Sequence, residues 1–283
     1  MRDVLAERYP DRVLPARLVR VAALPGPVDF AARLPVGAAV ATPDGSVTLW
    51  EPGTRRSALR LDGHGGRVTA VVKVSWLTVT ASEDGAVRTW LSGAQAPVTR
   101  TGHRGLVRCI SLTPAGALIS GDDGCLILWD TLSNEALRWP AHEAAVRCLD
   151  VAPDGTAISG AADGRVATWH TRTGATAVLG GHNGPVRGLA VLRDGLVATW
   201  GRAVRFWRPG SADPVVGTAA GFPGGVVSLV AGEQTYTVLC GDGSVQRRLL
   251  PDPTAGQARE HPDRGCLTVW WCRSRSLRRG RWC

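Results

Sequence analysis

His64 is followed by Thr80, Ser82 and Asp84, and His142 by Ser159 and Asp163. A carboxylate, an imidazole and a hydroxyl are the groups that activate a nucleophile: the carboxylate orients the imidazole, which takes the hydroxyl proton. Hydrolysis is therefore the first chemistry to weigh. The distribution of these residues argues against it. A catalytic set occurs once, in one pocket, whereas here His64, His103, His142 and His182 each stand about 20 residues before the same place in a recurring stretch. No G-x-S-x-G elbow, Walker loop, H-E-x-x-H or dinucleotide fingerprint is present. The sequence predicts no enzyme activity, no metal and no cofactor.

The recurring stretch ends in Trp. "PDGSVTLW" ends at Trp50, "EDGAVRTW" at Trp90, "DDGCLILW" at Trp129 and "ADGRVATW" at Trp169, with spacings of 40, 39 and 40. Weaker copies end at Trp207 and Arg248. Between them run short stretches of Val, Leu, Ile, Thr and Ala broken by Gly, Pro, Asp and Asn, the punctuation of strands and turns. The unit from His103 reads as four strands: "LVRCISLT", "GALISG", "CLILWD" and "EALRWP". Such a sheet cannot bury both faces alone, so units must stack.

Four His and four Asp-Gly turns with Trp six residues after the Asp, combined in full in three units, resemble the WD-repeat family. The resemblance covers roughly residues 26 to 250. It implies an all-β fold, a β-propeller of four-stranded antiparallel blades, with six recognisable repeats at about 26–63, 64–102, 103–141, 142–181, 182–221 and 222–260 and an incomplete seventh blade as an open alternative. It also implies hydrogen-bond clamps running from His through Ser or Thr to Asp and Trp. The members here are His64, Thr80 or Ser82, Asp84 and Trp90; His103, Asp123 and Trp129, with Ser120 one position out of phase; and His142, Ser159, Asp163 and Trp169. The fifth unit has Gly201 in place of the Asp.

Residues 1–25 contain "ARLVRVAAL", expected as a ring-closing strand, and 261–283 contain "GCLTVWW" followed by an Arg-rich tail. A six-bladed ring with a tail, a seven-bladed ring with one defective blade, and a shortened or frame-shifted end all fit these segments. The last eleven residues hold five Arg and no acid, so over half of the +9 net charge sits in the tail. Trp270, Trp271 and Trp282 beside those Arg could stack on bases or belong to an unfinished strand. The seven Cys are odd in number and include no C-x-x-C pair, and Cys109 and Cys148 fall at equivalent repeat positions, so the thiols read as structural. There is no apolar run long enough for a membrane span and no apolar-centred leader, which predicts a cytoplasmic protein with no membrane partner.

The resemblance places partner contacts at the residue after the first Val of each inner strand, two residues before it, and just before the turn Asp. The first set is Asp29, Thr69, Arg108, Arg147, Arg187 and Val227. The second includes Arg67 and Leu106, and the third Glu83, Asp122 and Trp200. Three successive blades thus offer Arg, which favours an acidic or phosphorylated segment. Internal pairing with Glu83, Asp122 and Glu143 would leave the same row without a ligand. Trp200 is either an exposed anchor or a side chain packed under a rearranged turn. The function expected is a non-catalytic scaffold or adaptor for a protein partner or peptide segment. The alternative is a nucleic-acid-associated propeller using the Arg row and tail.

Overall fold

The computed structural model describes residues 27–34, 37–50, 59–74, 77–92, 96–113, 118–122, 124–130, 135–211 and 214–251. Alternating apolar and polar residues between tight turns give short antiparallel strands throughout, with one 3₁₀ turn at Arg193–Gly195. Blade 1 comprises β1 (Phe30–Arg33), β2 (Ala38–Ala41), β3 (Val47–Trp50) and β4 (Leu59–Leu61). Blade 2 comprises β5 (Val68–Val74), β6 (Leu77–Ser82), β7 (Ala86–Leu91) and β8 (Val98–Thr101). Blade 3 comprises β9 (Cys109–Leu112), β10 (Leu118–Asp122), β11 (Cys125–Trp129) and β12 (Ala136–Pro140). Blade 4 comprises β13 (Val146–Val151), β14 (Thr156–Ala161), β15 (Arg165–His170) and β16 (Thr176–Gly181). Blade 5 comprises β17 (Gly188–Val191), β18 (Val197–Trp200), β19 (Val204–Trp207) and β20 (Val215–Ala219). A last sheet has three strands, β21 (Val226–Ala231), β22 (Thr235–Cys240) and β23 (Val245–Leu249).

Each sheet pairs its strands in chain order. The propeller architecture therefore stands, but the number of blades is corrected: among the described residues five blades are complete, not six or seven. Among the described residues the sixth unit forms three strands. The segments "ARLVRVAAL" and "GCLTVWW" lie outside the described residues.

The core lies between consecutive sheets. Leu77, Val79, Ala81 and Val87 of blade 2 pack on Val107, Ile110, Ile127 and Trp129 of blade 3. Comparable clusters join blades 1 and 2, 3 and 4, 4 and 5, and blade 5 with the sixth sheet. The first Val of each inner strand region anchors these seams: Val68 is 3% exposed, and Val107, Val146, Val186 and Val226 are fully buried. Backbone bonds cross the seams at the same level, from the N–H of Val107 to Ser82 O (3.1 Å), Val186 to Ala161 O (3.1 Å) and Val226 to Gly201 O (2.8 Å).

The two sequence markers keep phase because they touch. The N–H of His142 donates to Gly124 O at 2.8 Å, and that of His182 to Gly164 O at 2.8 Å, so each His rests on the turn glycine of the preceding blade. Gly164 has φ +89°, and a Cβ there would lie 2.5 Å from His182 O. Both the backbone conformation and the neighbouring blade exclude a side chain at that turn.

Candidate functional site

In blade 2 the hydroxyl of Thr80 is the hub of the polar chain. Trp90 Nε1–H donates to Thr80 Oγ1 at 2.9 Å, and Thr80 Oγ1 lies 2.7 Å from His64 Nε2. The indole can only donate, so the Thr80 hydroxyl oxygen accepts from it while facing His64 Nε2, and His64 Nδ1 lies 3.1 Å from Asp84 Oδ2 and against Arg88 Nη1. The Asp84 carboxylate also accepts from the N–H of Gly65 and Ala86 (2.9 Å each) and from Arg88 (2.8 Å). Burial works to raise its pKa. The two backbone donors, with Arg88 and His64, outweigh burial and hold the carboxyl well below its usual range. Ser82 has a separate task, accepting from the Asp84 N–H at 3.1 Å.

The other blades keep parts of this chain. His142 Nε2 lies 2.7 Å from Ser159 Oγ, while Asp163 accepts from the N–H of Arg165 at 2.9 Å and closes its own turn. His142 Nδ1 is buried and makes no hydrogen bond. His103 meets buried Trp129 edge-on, with ring centroids 6.5 Å apart; Asp123 lies outside the described residues. In blade 5, Thr199 Oγ1 lies 2.7 Å from His182 Nε2 and accepts from Trp207 Nε1 at 2.6 Å, so three of the four members persist without the Asp. Burial lowers the pKa of His64, of His142 and, to about 4, of His182. The sixth sheet replaces the polar chain outright. Phe222 stands in the His place, buried Val238 in the hydroxyl place and Arg248 in the Trp place, with its guanidinium carbon 4.3 Å from the Phe222 ring centroid.

Pairing register corrects two positions counted from the turn. Ser120 pairs with Ile110 and Ile127, Thr80 with Val71 and Arg88, and Ser159 with Leu149 and Ala167, so in backbone terms Ser120 is in phase. The reason is turn length: Gly121 pairs with Leu126 where Ala81 pairs with Val87, so the blade 3 turn is one residue shorter. In blade 5 it is two shorter, since Trp200 pairs with Val204. Trp200 therefore falls at the place of Ala81 and Gly160 rather than that of Glu83. It is 8% exposed, within the cluster that holds Phe222 and Val226, and is not an exposed anchor. Gly201, which counting put in the Asp place, takes the place of Ser82 and Ala161. Counting forward from the His would have found every hydroxyl, for the bonded pairs are 16 or 17 residues apart and His103 leads to Ser120.

Three residues of the first contact set share a backbone device. The pairing shifts between Val68 and Ala70, between Val146 and Cys148, and between Val226 and Ser228, leaving Thr69, Arg147 and Val227 as the extra residues of β-bulges. Arg108 N–H reaches Gly121 O beside the Cys109–Gly121 pair, Arg187 N–H reaches Trp200 O beside the Gly188–Trp200 pair, and Asp29 N–H reaches Ala41 O beside the Phe30–Ala41 pair. Thr69, Arg147 and Val227 thus sit at bulges, which re-aim a side chain out of the ladder, while Asp29, Arg108 and Arg187 stand just before their inner strands.

Their environments differ. Asp29 is held by Arg67 of blade 2 through a bidentate ion pair, with Nε to Oδ2 at 2.6 Å. Thr69 donates to Val107 O. Arg108, Arg147 and Arg187 are exposed and make no ion pair among the described residues. Glu143 lies 3.9 Å from Arg165 rather than on the row, and Glu83 is exposed. Leu106 is half-buried, and the Asp122 side chain lies outside the described residues. Val227 is 46% exposed. No group of three or more potential metal-ligating side chains occurs among the described residues, and no helix there is long and apolar enough to cross a membrane.

These features define a propeller built from hydrogen-bond-clamped blades with a charged row on its inner strands. The WD40 family model, WD domain, G-beta repeat, matches residues 96–130 and 134–170, so over these stretches the likeness to WD40 repeats holds in sequence as in fold. No curated protein matches the chain. Among solved structures, the computationally designed Ika8 protein is similar with a TM-score of 0.71 and 22% identity, over 78% of this chain and 70% of that one. The WD40 beta propeller domain of Doa1 is similar with a TM-score of 0.63 and 20% identity, over 74% and 73%.

Proposed function

We propose that this chain is a non-catalytic protein-interaction platform that takes an acidic or phosphorylated partner segment on the row Arg108, Arg147 and Arg187. The observation that carries this reading is the equivalence of the three: each stands at the start of its inner strand, each is exposed, and none makes an ion pair among the described residues. Three like charges on neighbouring strands repel one another, and an anionic partner relieves that repulsion. The recurring His, Ser or Thr, Asp and Trp sets are consumed in joining strands and turns, which leaves them no free nucleophile. Their hydroxyls accept from or donate to buried rings.

The test compares proteins captured from lysate by the full chain and by a triple Arg108→Glu, Arg147→Glu, Arg187→Glu variant of matched thermal stability. Protein partners lost only with the variant are the expected result. Identical capture by both chains, or capture dominated by nucleic acid, overturns the reading.

A further inference from the structure

The row is not uniform. On blade 1 the Asp29 carboxylate is already paired with Arg67, and on blade 2 the bulge hydroxyl is spent on Val107 O. Blades 3 to 5 carry three exposed guanidiniums with no ion pair among the described residues, and the sixth sheet presents an apolar side chain, Val227, at the same position. Arg187 lies toward that sheet: a Cβ on Gly225, beside Val226 and Val227, would stand 3.5 Å from its Nη1. A segment lying across these strands therefore meets cations first and an apolar contact next.

β13 lies beside β9 on one side and β17 on the other, so the arginines at the starts of these strands stand on adjacent blades, where two extended guanidiniums can converge on one anion. A carboxylate has two oxygens and one charge, enough to satisfy a single guanidinium fork. A phosphate monoester has three free oxygens and close to two charges, and satisfies two forks from different strands. Resting on the platform reading above, we infer that the ligand is a phosphorylated peptide segment, its phosphate shared by guanidiniums of adjacent blades and followed by an apolar residue over Val227.

Fluorescence anisotropy of the full chain tests this with short fluorescein-labelled peptide libraries that differ only at a central phosphoserine, glutamate or serine, each made with apolar and with Ser/Gly flanks. The expected result is phosphoserine binding at least about tenfold tighter than glutamate. Arg108→Gln and Arg147→Gln each remove most of that gain, and Val227→Ser abolishes the advantage of apolar flanks while the phosphoserine preference stays. Thermal melts accompany every variant, and Arg187→Gln replaces any that melts early. Equal binding of glutamate and phosphoserine, both lost in the Arg variants, overturns the phosphate inference and leaves the acidic-partner platform standing. Binding indifferent to the Arg substitutions overturns both. No binding of any library, or tighter binding of a labelled single-stranded oligonucleotide through the same Arg residues, also overturns the inference.

Discussion

Gly188 and Trp200 face each other across β17 and β18, with the indole lying where a Gly188 side chain would be: an added Cβ would fall 2.3 Å from Trp200 Cζ2. Blades 3 and 4 solve the same position the other way round, with Cys109 and Cys148 on the inner strand opposite Gly121 and Gly160. A Cβ on Gly160 would lie 2.8 Å from Cys148 Sγ. In each of these blades one of the two facing positions is glycine, and the side chain that fills the space comes from the inner strand in blades 3 and 4 and from the second strand in blade 5.

Gly188→Ala should therefore destabilise the protein, by about 1–3 kcal/mol from overpacking. Trp200→Gly should cost about 3–5 kcal/mol through the cavity left. The double change Gly188→Cys with Trp200→Gly recreates the pair of blade 4, and should be markedly more stable than the sum of the single changes. A double-mutant cycle read by denaturant unfolding measures this, and strict additivity would sink the pairing argument.

Thr80→Val should cost about 1–3 kcal/mol, because it deprives both His64 Nε2 and Trp90 Nε1 of their partner while nearly preserving shape. Ser82→Ala should cost less, since only the Asp84 N–H loses its acceptor. Equal melting of the two variants would mean that Thr80 is not the hub.

Acid should loosen the blades before it protonates the carboxylates that hold the turns. His182 titrates near 6.5 when unfolded and at about 4 when folded, so its contribution is present above pH 6.5 and is lost as pH falls from there toward 4. His64 and His142 are lowered by burial in the same direction. Melting temperature should fall by several degrees between pH 7 and pH 5. His182→Gln should flatten part of that slope, and a profile flat from pH 7 to 5 would contradict it.

Arg147→Glu should leave the melting temperature within about 2 °C of the parent, because the side chain is exposed and makes no ion pair among the described residues. Binding of the partner segment should nonetheless fall. Arg67→Glu behaves differently, placing a second carboxylate beside Asp29 and separating blades 1 and 2. Differential scanning fluorimetry distinguishes the two, and a large loss in Arg147→Glu would assign that residue to the scaffold.

Strand order and repeat phase were legible because the markers are tied to covalent spacing: His142 and His182 rest on Gly124 and Gly164, so His, turn and Trp recur together. What depended on pairing was not. Ser120 and Trp200 were counted from a turn whose length varies among blades, and register follows the ladder rather than the count. The contact row was reached only through the family resemblance, since a bulge leaves no mark in a run such as "VRC". The Phe222 and Arg248 contact was hidden because both residues break the motif, each at a position where the pattern had marked only a weak copy.

The bonds of His142 and His182 to the preceding turns, with those across the seams, also set an order of events during synthesis. The His bonds complete the outer hairpin of a blade, and the N–H of Val107, Val186 and Val226 then needs the carbonyl of Ser82, Ala161 and Gly201, so each of these sheets is received by one that has already left the ribosome. No blade from the second to the fifth has to wait for a distant part of the chain. The exposed seam travels with the growing end, and at any moment the nascent protein shows one unsatisfied face rather than many.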